Sequence, residues 1–199
     1  MAGARSAVKP DKREVPAEVI ARCQQGDISA LEEIFEVCGG MVFSVCRRMC
    51  GRAEDAEDVT QEIFLRIFEK VGSFAGGARF STWVYRVSVN HLLNHLKSEK
   101  RRRTDSIQDA DDGLRAQGVS PLRAAERQEA GEHLDSLLAQ LGPEQRAVVV
   151  LRELGGFTYA EISKNLEIPL GTVMSRLSRA RKSLIGLIAE TGRNAPVAE

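Results

Sequence analysis

Apolar residues recur every three or four positions in one segment of this chain after another. That spacing leaves the helix as the structure able to bury them on one face. The clearest case is Glu54 to Val71, where Val59, Ile63, Phe64, Ile67, Phe68 and Val71 make a single stripe. Glu54, Asp55, Glu57 and Asp58 sit at its start, where the helix dipole favours negative charge. No segment alternates with sustained period two between hairpin turns, so the expected fold class is all-α. No internal repeat or low-complexity tract is found.

The punctuation divides the rest. Met1 to Val15 is small, charged and aperiodic, and reads as a disordered tail. Pro16 to Gln25 reads as a short helix closed by Gly26, after which Asp27 is an N-cap for a helix to about Cys50. The Gly39-Gly40 pair inside that helix allows a kink. Gly72 ends the Glu54–Val71 helix. A glycine-bearing loop, Phe74 to Phe80, follows, and Ser81 is the expected cap of a helix to about Lys100. Its core face is expected to carry Val84, Val87, Leu96 and either His91 or Leu92. Asp105 to Pro121 reads as a flexible linker, with helical patterning resuming near Leu122. Gly142-Pro143 breaks that helix, and the next runs from Pro143 to Gly155-Gly156. A length of 199 residues suits two small helical domains.

A formal net charge of zero hides strong segregation. From Arg79 to Arg103 there are seven basic residues against Glu99 alone. From Thr104 to Asp135 eight acids face three arginines. Leu170 to Gly186 holds Arg176, Arg179, Arg181 and Lys182 and no acid. Clustered cations bind a phosphate backbone whatever the total charge. The pattern points to two nucleic-acid-contacting modules joined by a linker that does not touch DNA.

The second basic segment belongs to a helix-turn-helix pattern. Thr158 and Glu161 have capping-box spacing and open a short helix to Leu166. Glu167-Ile168 makes a tight connection, and Pro169 suits the first turn of the next helix. There Leu170, Val173, Leu177, Ala180, Leu184 and Leu187 form the expected buried stripe, with Tyr159, Ile162 and Leu166 packing from the first helix. Thr172, Ser175, Arg176, Arg179 and Lys182 lie opposite. A second helix with a cationic outer face is the arrangement that enters a major groove, where arginines and hydroxyls reach base edges and phosphates.

Three strings then carry a family likeness: DAEDVTQEIFLRIF at Asp55–Phe68, FSTWVYRVSVN at Phe80–Asn90, and TYAEIS at Thr158 with IPLGTVMSRLSRAR at Ile168. In order and spacing the chain resembles the extracytoplasmic-function (ECF) sigma factors of the sigma-70 family, from about Glu18 to Ile188. The resemblance implies a sigma region 2 domain over 16–103, a linker over 104–130, a sigma region 4 domain over 131–190, and a short tail over 191–199. It implies core RNA polymerase as a partner, through the β′ clamp helices and the β flap, with Asp58, Gln61 and Glu62 on the first surface. It implies promoter DNA as the second partner and an anti-sigma factor as the third. For the minus-ten element, an unpaired base needs a pocket, an aromatic wall and nearby cations. Phe80, Thr82, Trp83, Arg86, Asn90 and Lys97 match by position, Trp83 being equally readable as core. The basic run Lys100 to Arg103 is read as a phosphate contact. For the minus-thirty-five element, Thr172, Ser175, Arg176, Arg179 and Lys182 match. Met174 departs from the arginine common there, so no known promoter preference transfers.

Other chemistries fit less well. No run approaches the ~18 apolar residues of a membrane span, and the first residues hold no apolar signal core, so a cytoplasmic protein is expected. Cys23, Cys38, Cys46 and Cys50 show no CxxC pair and read as small buried thiols rather than a metal set. His91 and His95 share a helix face with no acid beside them in sequence, and read as surface or partner-facing residues. The Asp55–Asp58 acids loosely resemble a magnesium-binding motif of helical prenyl-transfer enzymes, but no second acidic cluster, nucleophile–base pair or phosphate loop accompanies them. No catalytic residue, cofactor, metal or small-molecule substrate is assigned. A stand-alone helix-turn-helix regulator would explain Thr158 to Leu187 but not the Asp55–Asn90 block.

Overall fold

The computed structural model describes residues 14–105 and 122–193. Eight helices account for nearly all of these residues, and no strand occurs among them. Readings of the first thirteen residues, of linker residues 106–121 and of the last six lie outside the described residues.

The first half is a four-helix unit. Helix α1 (Ala17–Gln24) packs on α2 (Ile28–Cys50), which packs on α3 (Ala53–Lys70) and α4 (Phe80–Asp105). Asp27 caps α2 as expected, its carboxylate accepting from the Ser29 N–H at 2.9 Å. Helix α2 runs unbroken through Gly39-Gly40. Ile34, Val42, Met49, Ile63, Ile67, Val84 and Leu92 are wholly buried between these helices. Leu92 rather than His91 is the core residue at that turn of α4.

Two expectations shift here. The first turn of α4 is held by Glu14 rather than by Ser81. The Glu14 carboxylate accepts from the Phe80 N–H at 3.0 Å and from the Arg79 guanidinium at 2.8 Å. Val15 beside it is 4% exposed, so the end of the expected tail is part of the core. A carboxylate at a helix N-terminus satisfies orphan N–H groups whether it is adjacent in sequence or not.

The second half opens with α5 (Leu122–Ala139), which starts inside the stretch read as linker. Helix α6 (Pro143–Val149) continues into a π-turn at Val150–Leu154 before Gly155. The helix-turn-helix follows as α7 (Tyr159–Leu166) and α8 (Leu170–Arg193). Val173, Leu177 and Ala180 are buried as expected. Leu170, the first residue of the helix, is 47% exposed and stands outside the buried stripe. Helix α8 runs to Arg193, past the start of the expected tail.

The halves are packed together, and their buried residues form one continuous cluster. Arg146 of α6 sits in the joint, 6% exposed. Its guanidinium donates to the Met49 carbonyl at the end of α2, to the Ala139 carbonyl at the end of α5, and to the Leu141 carbonyl at 3.0 Å. Arg47 and buried Asp135 pair at 3.1 Å across the same seam. Gly51 ends α2 in the left-handed conformation (φ 82°), and a Cβ there would lie 2.9 Å from the Ala139 methyl. Each unpaired buried acceptor costs about 1–3 kcal/mol. Arg146→Met orphans three carbonyls and is expected to lower stability by about 3 kcal/mol. The measurement is the shift of the urea midpoint at unchanged slope; a midpoint left in place would mean the guanidinium is dispensable.

Candidate nucleic-acid interface

The sequence-derived residues fall on three surfaces. On α3, Asp58, Gln61 and Glu62 all point to solvent. They line the polar side of a helix whose other side holds Val59, Ile63 and Ile67 in the core. Glu62 is engaged across a helix boundary, by His91 Nε2 at 2.9 Å and His95 Nδ1 at 3.9 Å. The acid missing beside these histidines in sequence is thus supplied by α3.

On α4 the candidates divide. Phe80 and Trp83 are 2% and 5% exposed, stacked at 5.5 Å between ring centroids, and Phe74 closes the set edge-on to Phe80 at 5.1 Å. Trp83 occupies the core position that its spacing also allowed. Thr82, Arg86 and Asn90 are half-buried and Lys97 is exposed. A cleft of about 1060 Å³ runs beside this face, with Trp83, Arg86, Asn90 and His91 on one wall and Lys164 and Asn165 on the other. The amide of Asn90 donates to the Asn165 carbonyl at 3.2 Å, tying α4 to α7. Tyr85, not singled out in the sequence, donates its hydroxyl to the Val150 carbonyl at 3.1 Å, at the π-turn.

On α8, Arg179 and Lys182 are exposed and Thr172, Ser175 and Arg176 are half-buried. The helix is aimed by the turn before it. The capping box is complete: Thr158 Oγ1 accepts from the Glu161 N–H at 3.2 Å, and the Glu161 carboxylate accepts from the Thr158 N–H at 2.7 Å. Glu167 then takes a left-handed conformation (φ 54°), and the Ser163 hydroxyl donates to the Ile168 carbonyl at 2.6 Å. Arg176 is paired with Glu144 of α6. Lys97 of α4 approaches the same carboxylate at 3.6 Å. Sequence reading missed Glu144, because an acid in the first turn of α6 looks like ordinary dipole compensation.

The thiols do not contribute to these surfaces. Cys23, Cys38 and Cys46 are buried, and burial pushes the Cys46 thiol up to about 11 and the Cys50 thiol to about 12. Both are protonated at neutral pH and inert as nucleophiles.

A fold of paired helical units with a capped helix-turn-helix defines a class of DNA-binding proteins. The comparisons with known proteins name the class. Residues 34–117 match the model of Sigma-70 region 2, and residues 132–184 that of Sigma-70, region 4. The RNA polymerase sigma-H factor of Pseudomonas aeruginosa is 32% identical over 86% of this chain and 93% of its own. The ECF RNA polymerase sigma factor SigW of Bacillus subtilis is 31% identical over 83% and 92%. The ECF RNA polymerase sigma-E factor of Escherichia coli is 31% identical over 83% and 90%. The chain therefore belongs to the sigma-70 family, in its ECF group: it is a transcription initiation factor, not an enzyme, and the stand-alone regulator is not favoured. Among solved structures the fold is shared with CnrH, in complex with the cytosolic domain of CnrY, at TM-score 0.59 and 22% identity over 87% of this chain and 96% of that one. It is also shared with the sigma factor RpoE of Bartonella quintana, in complex with the anti-sigma factor NepR, at TM-score 0.61 and 20% identity over 79% and 96%. No helix among the described residues is long and apolar enough to cross a membrane.

The capping box gives a pH-dependent prediction. Hydrogen bonds from the Thr158 N–H and then its hydroxyl hold the Glu161 carboxyl below its ordinary value. Its contribution is therefore complete above the unfolded carboxylate range and is lost as pH falls through the lowered folded value. Glu161→Ala is expected to cost about 1 kcal/mol at neutral pH. Urea titrations should show the gap to wild type closing in acid; a gap independent of pH would exclude the ionised carboxylate as the cap.

Proposed function

We propose that this ECF sigma factor divides its work as the three surfaces suggest. Asp58, Gln61 and Glu62 dock on the β′ clamp helices of core RNA polymerase. Thr82, Arg86, Asn90 and Lys97 hold the minus-ten strand, with Phe80 and Trp83 forming the rigid floor beneath them. Thr172, Ser175, Arg176, Arg179 and Lys182 read the minus-thirty-five duplex. Region 2 spans 16–103 and region 4 spans 131–190, the latter also meeting the β flap. The observation that carries this reading is the segregation itself: exposed acids on α3, and exposed cations on the outer face of a capped, turn-aimed α8.

The packed arrangement is then a closed form. Elements at minus ten and minus thirty-five lie about 25 base pairs apart, which is roughly 85 Å of duplex at 3.4 Å per pair. Here Lys97, assigned to one element, and Arg176, assigned to the other, meet on a single Glu144 carboxylate. Both elements cannot be gripped until α4 and α6–α8 part. Glu144 acts as an internal stand-in for phosphate, and Asn165 occupies the amide of Asn90.

An anti-sigma partner is supported by the structural relatives, RpoE being solved with the anti-sigma factor NepR and CnrH with the cytosolic domain of CnrY. Such a partner would stabilise a state in which these surfaces are covered. We place the factor in the cytoplasm, in contact with a membrane only through that partner.

The deciding experiment is run-off transcription with sigma-free core polymerase and this full chain. Initiation at a defined start site is expected; its absence rejects the reading. Within that assay, Arg176→Ala should weaken promoter use by roughly 1–3 kcal/mol, through the upstream element. Unchanged dependence on that element would remove Arg176 from the reading face. Glu144→Gln should act oppositely, raising promoter affinity of the full chain by roughly 0.5–1 kcal/mol. Glu62→Lys should lower core-polymerase affinity; undiminished binding would clear Glu62 of that role.

A further inference from the structure

Glu62, His91 and His95 have a second use open to them. His91 and His95 are one turn apart on α4 and so project from the same side of the helix. Glu62 reaches them from α3. One ligand atom from each of the three lies within 4.8 Å of the others, a combination found once among the described residues. The two imidazoles are held by their surroundings, with side chains 18% and 22% exposed, whereas the Glu62 side chain is 52% exposed and can adjust. Arg66, one turn along α3, pairs instead with Glu69 at 2.7 Å. The Glu62 carboxylate is thus left to the histidines.

We propose that Glu62, His91 and His95 bind one divalent transition-metal ion of the zinc, cobalt and nickel class at the edge of the α4–α7 cleft. Two imidazoles and one carboxylate are the donor set such borderline ions take, and hard magnesium or calcium does not. Ligands about 2.0–2.2 Å from a tetrahedral centre stand about 3.4 Å from one another. The present 2.9 Å and 3.9 Å separations from Glu62 Oε2 bracket that value. The third side, between the two imidazole nitrogens, is no longer than 4.8 Å, so closing the triangle takes adjustments on the order of 1 Å. The ion takes the place of the proton now shared between His91 Nε2 and Glu62. Three protein ligands leave a fourth position facing the cleft, for water or for a group brought by a partner.

A consequence follows for polymerase binding, and it rests on the proposed role of Glu62. A bound divalent ion takes up much of the Glu62 charge and fixes Oε2, so occupancy weakens the pull of Glu62 on a basic clamp helix and metal lowers affinity for core polymerase.

The probe is cobalt(II), added to the tag-free, reduced full-length chain. One equivalent is expected, with visible d–d bands, displacement by zinc, and no thiolate-to-cobalt charge-transfer band, which separates this site from the four cysteines. Glu62→Gln, His91→Gln and His95→Gln should each weaken cobalt binding about tenfold or more. Glu62→Gln alters an exposed side chain and guards against a folding artefact in the histidine variants. Failure of the wild-type chain to bind, binding undiminished in all three variants, or a thiolate band overturns the site. Core-polymerase affinity is then measured with and without zinc. Wild type should weaken with zinc and His95→Gln should not. Cobalt bound as described, with polymerase affinity indifferent to zinc, rejects the coupling and the role of Glu62 while leaving the metal site standing.

Discussion

The closed arrangement depends on one buried cation. Arg146 carries its charge into the seam between α2, α5 and α6, and its two terminal guanidinium nitrogens donate to backbone carbonyls at two helix ends. Helix C-termini present unsatisfied carbonyls and partial negative charge, and a guanidinium answers both at once. Burial pulls the Arg146 pKa down, yet arginine stays protonated at any physiological pH. The joint is therefore not a pH switch. Its planar fork also explains why lysine would not serve there: one ammonium cannot span carbonyls from α2 and α5 together.

Around that cation, the contacts between the halves are of two kinds. Near α2 and α5 an apolar cluster is shared, with half-buried Arg47 on buried Asp135 and Gly51 against Ala139 at its margin. Toward the cleft they become polar and part-exposed: Asn90 on Asn165, and Lys97 and Arg176 on Glu144. Water competes well with the second kind, and exposed ion pairs contribute little. Separation should begin at the cleft, where the nucleic-acid candidates lie, with the seam at Arg146 parting last. On the proposed assignment of Lys97 and Arg176 to DNA, a polyanion favours this order by offering many phosphates in place of one carboxylate.

What the sequence could disclose was set by how local each interaction is. Helix stripes, the Asp27 cap and the Thr158–Glu161 box depend on residues within a few positions, and all were readable. The cap on α4 was not, because its carboxylate is Glu14 and the intervening chain is three helices long. Trp83 was ambiguous because helical spacing alone cannot say which of two apolar faces is covered. Leu170 matched the stripe and still emerged exposed, since periodicity does not say which positions of a stripe are covered. The carboxylate shared by Lys97 and Arg176 was invisible for the same reason as Glu62 beside His91: each joins residues from separate helices.

Glu62 illustrates how packing can give an exposed, adjustable side chain particular partners. On α3 alone it is one of several acids at a helix surface, and a basic partner could take any of them. The packing of α4 singles it out by placing two imidazoles within reach. On the proposed reading, a polymerase cation that takes Oε2 forfeits one half-exposed imidazole–carboxylate contact, roughly 0.2–1 kcal/mol. In the proposed docking, Asp58 and Gln61, also exposed on α3, make the first contact and Glu62 joins as its histidine contacts yield.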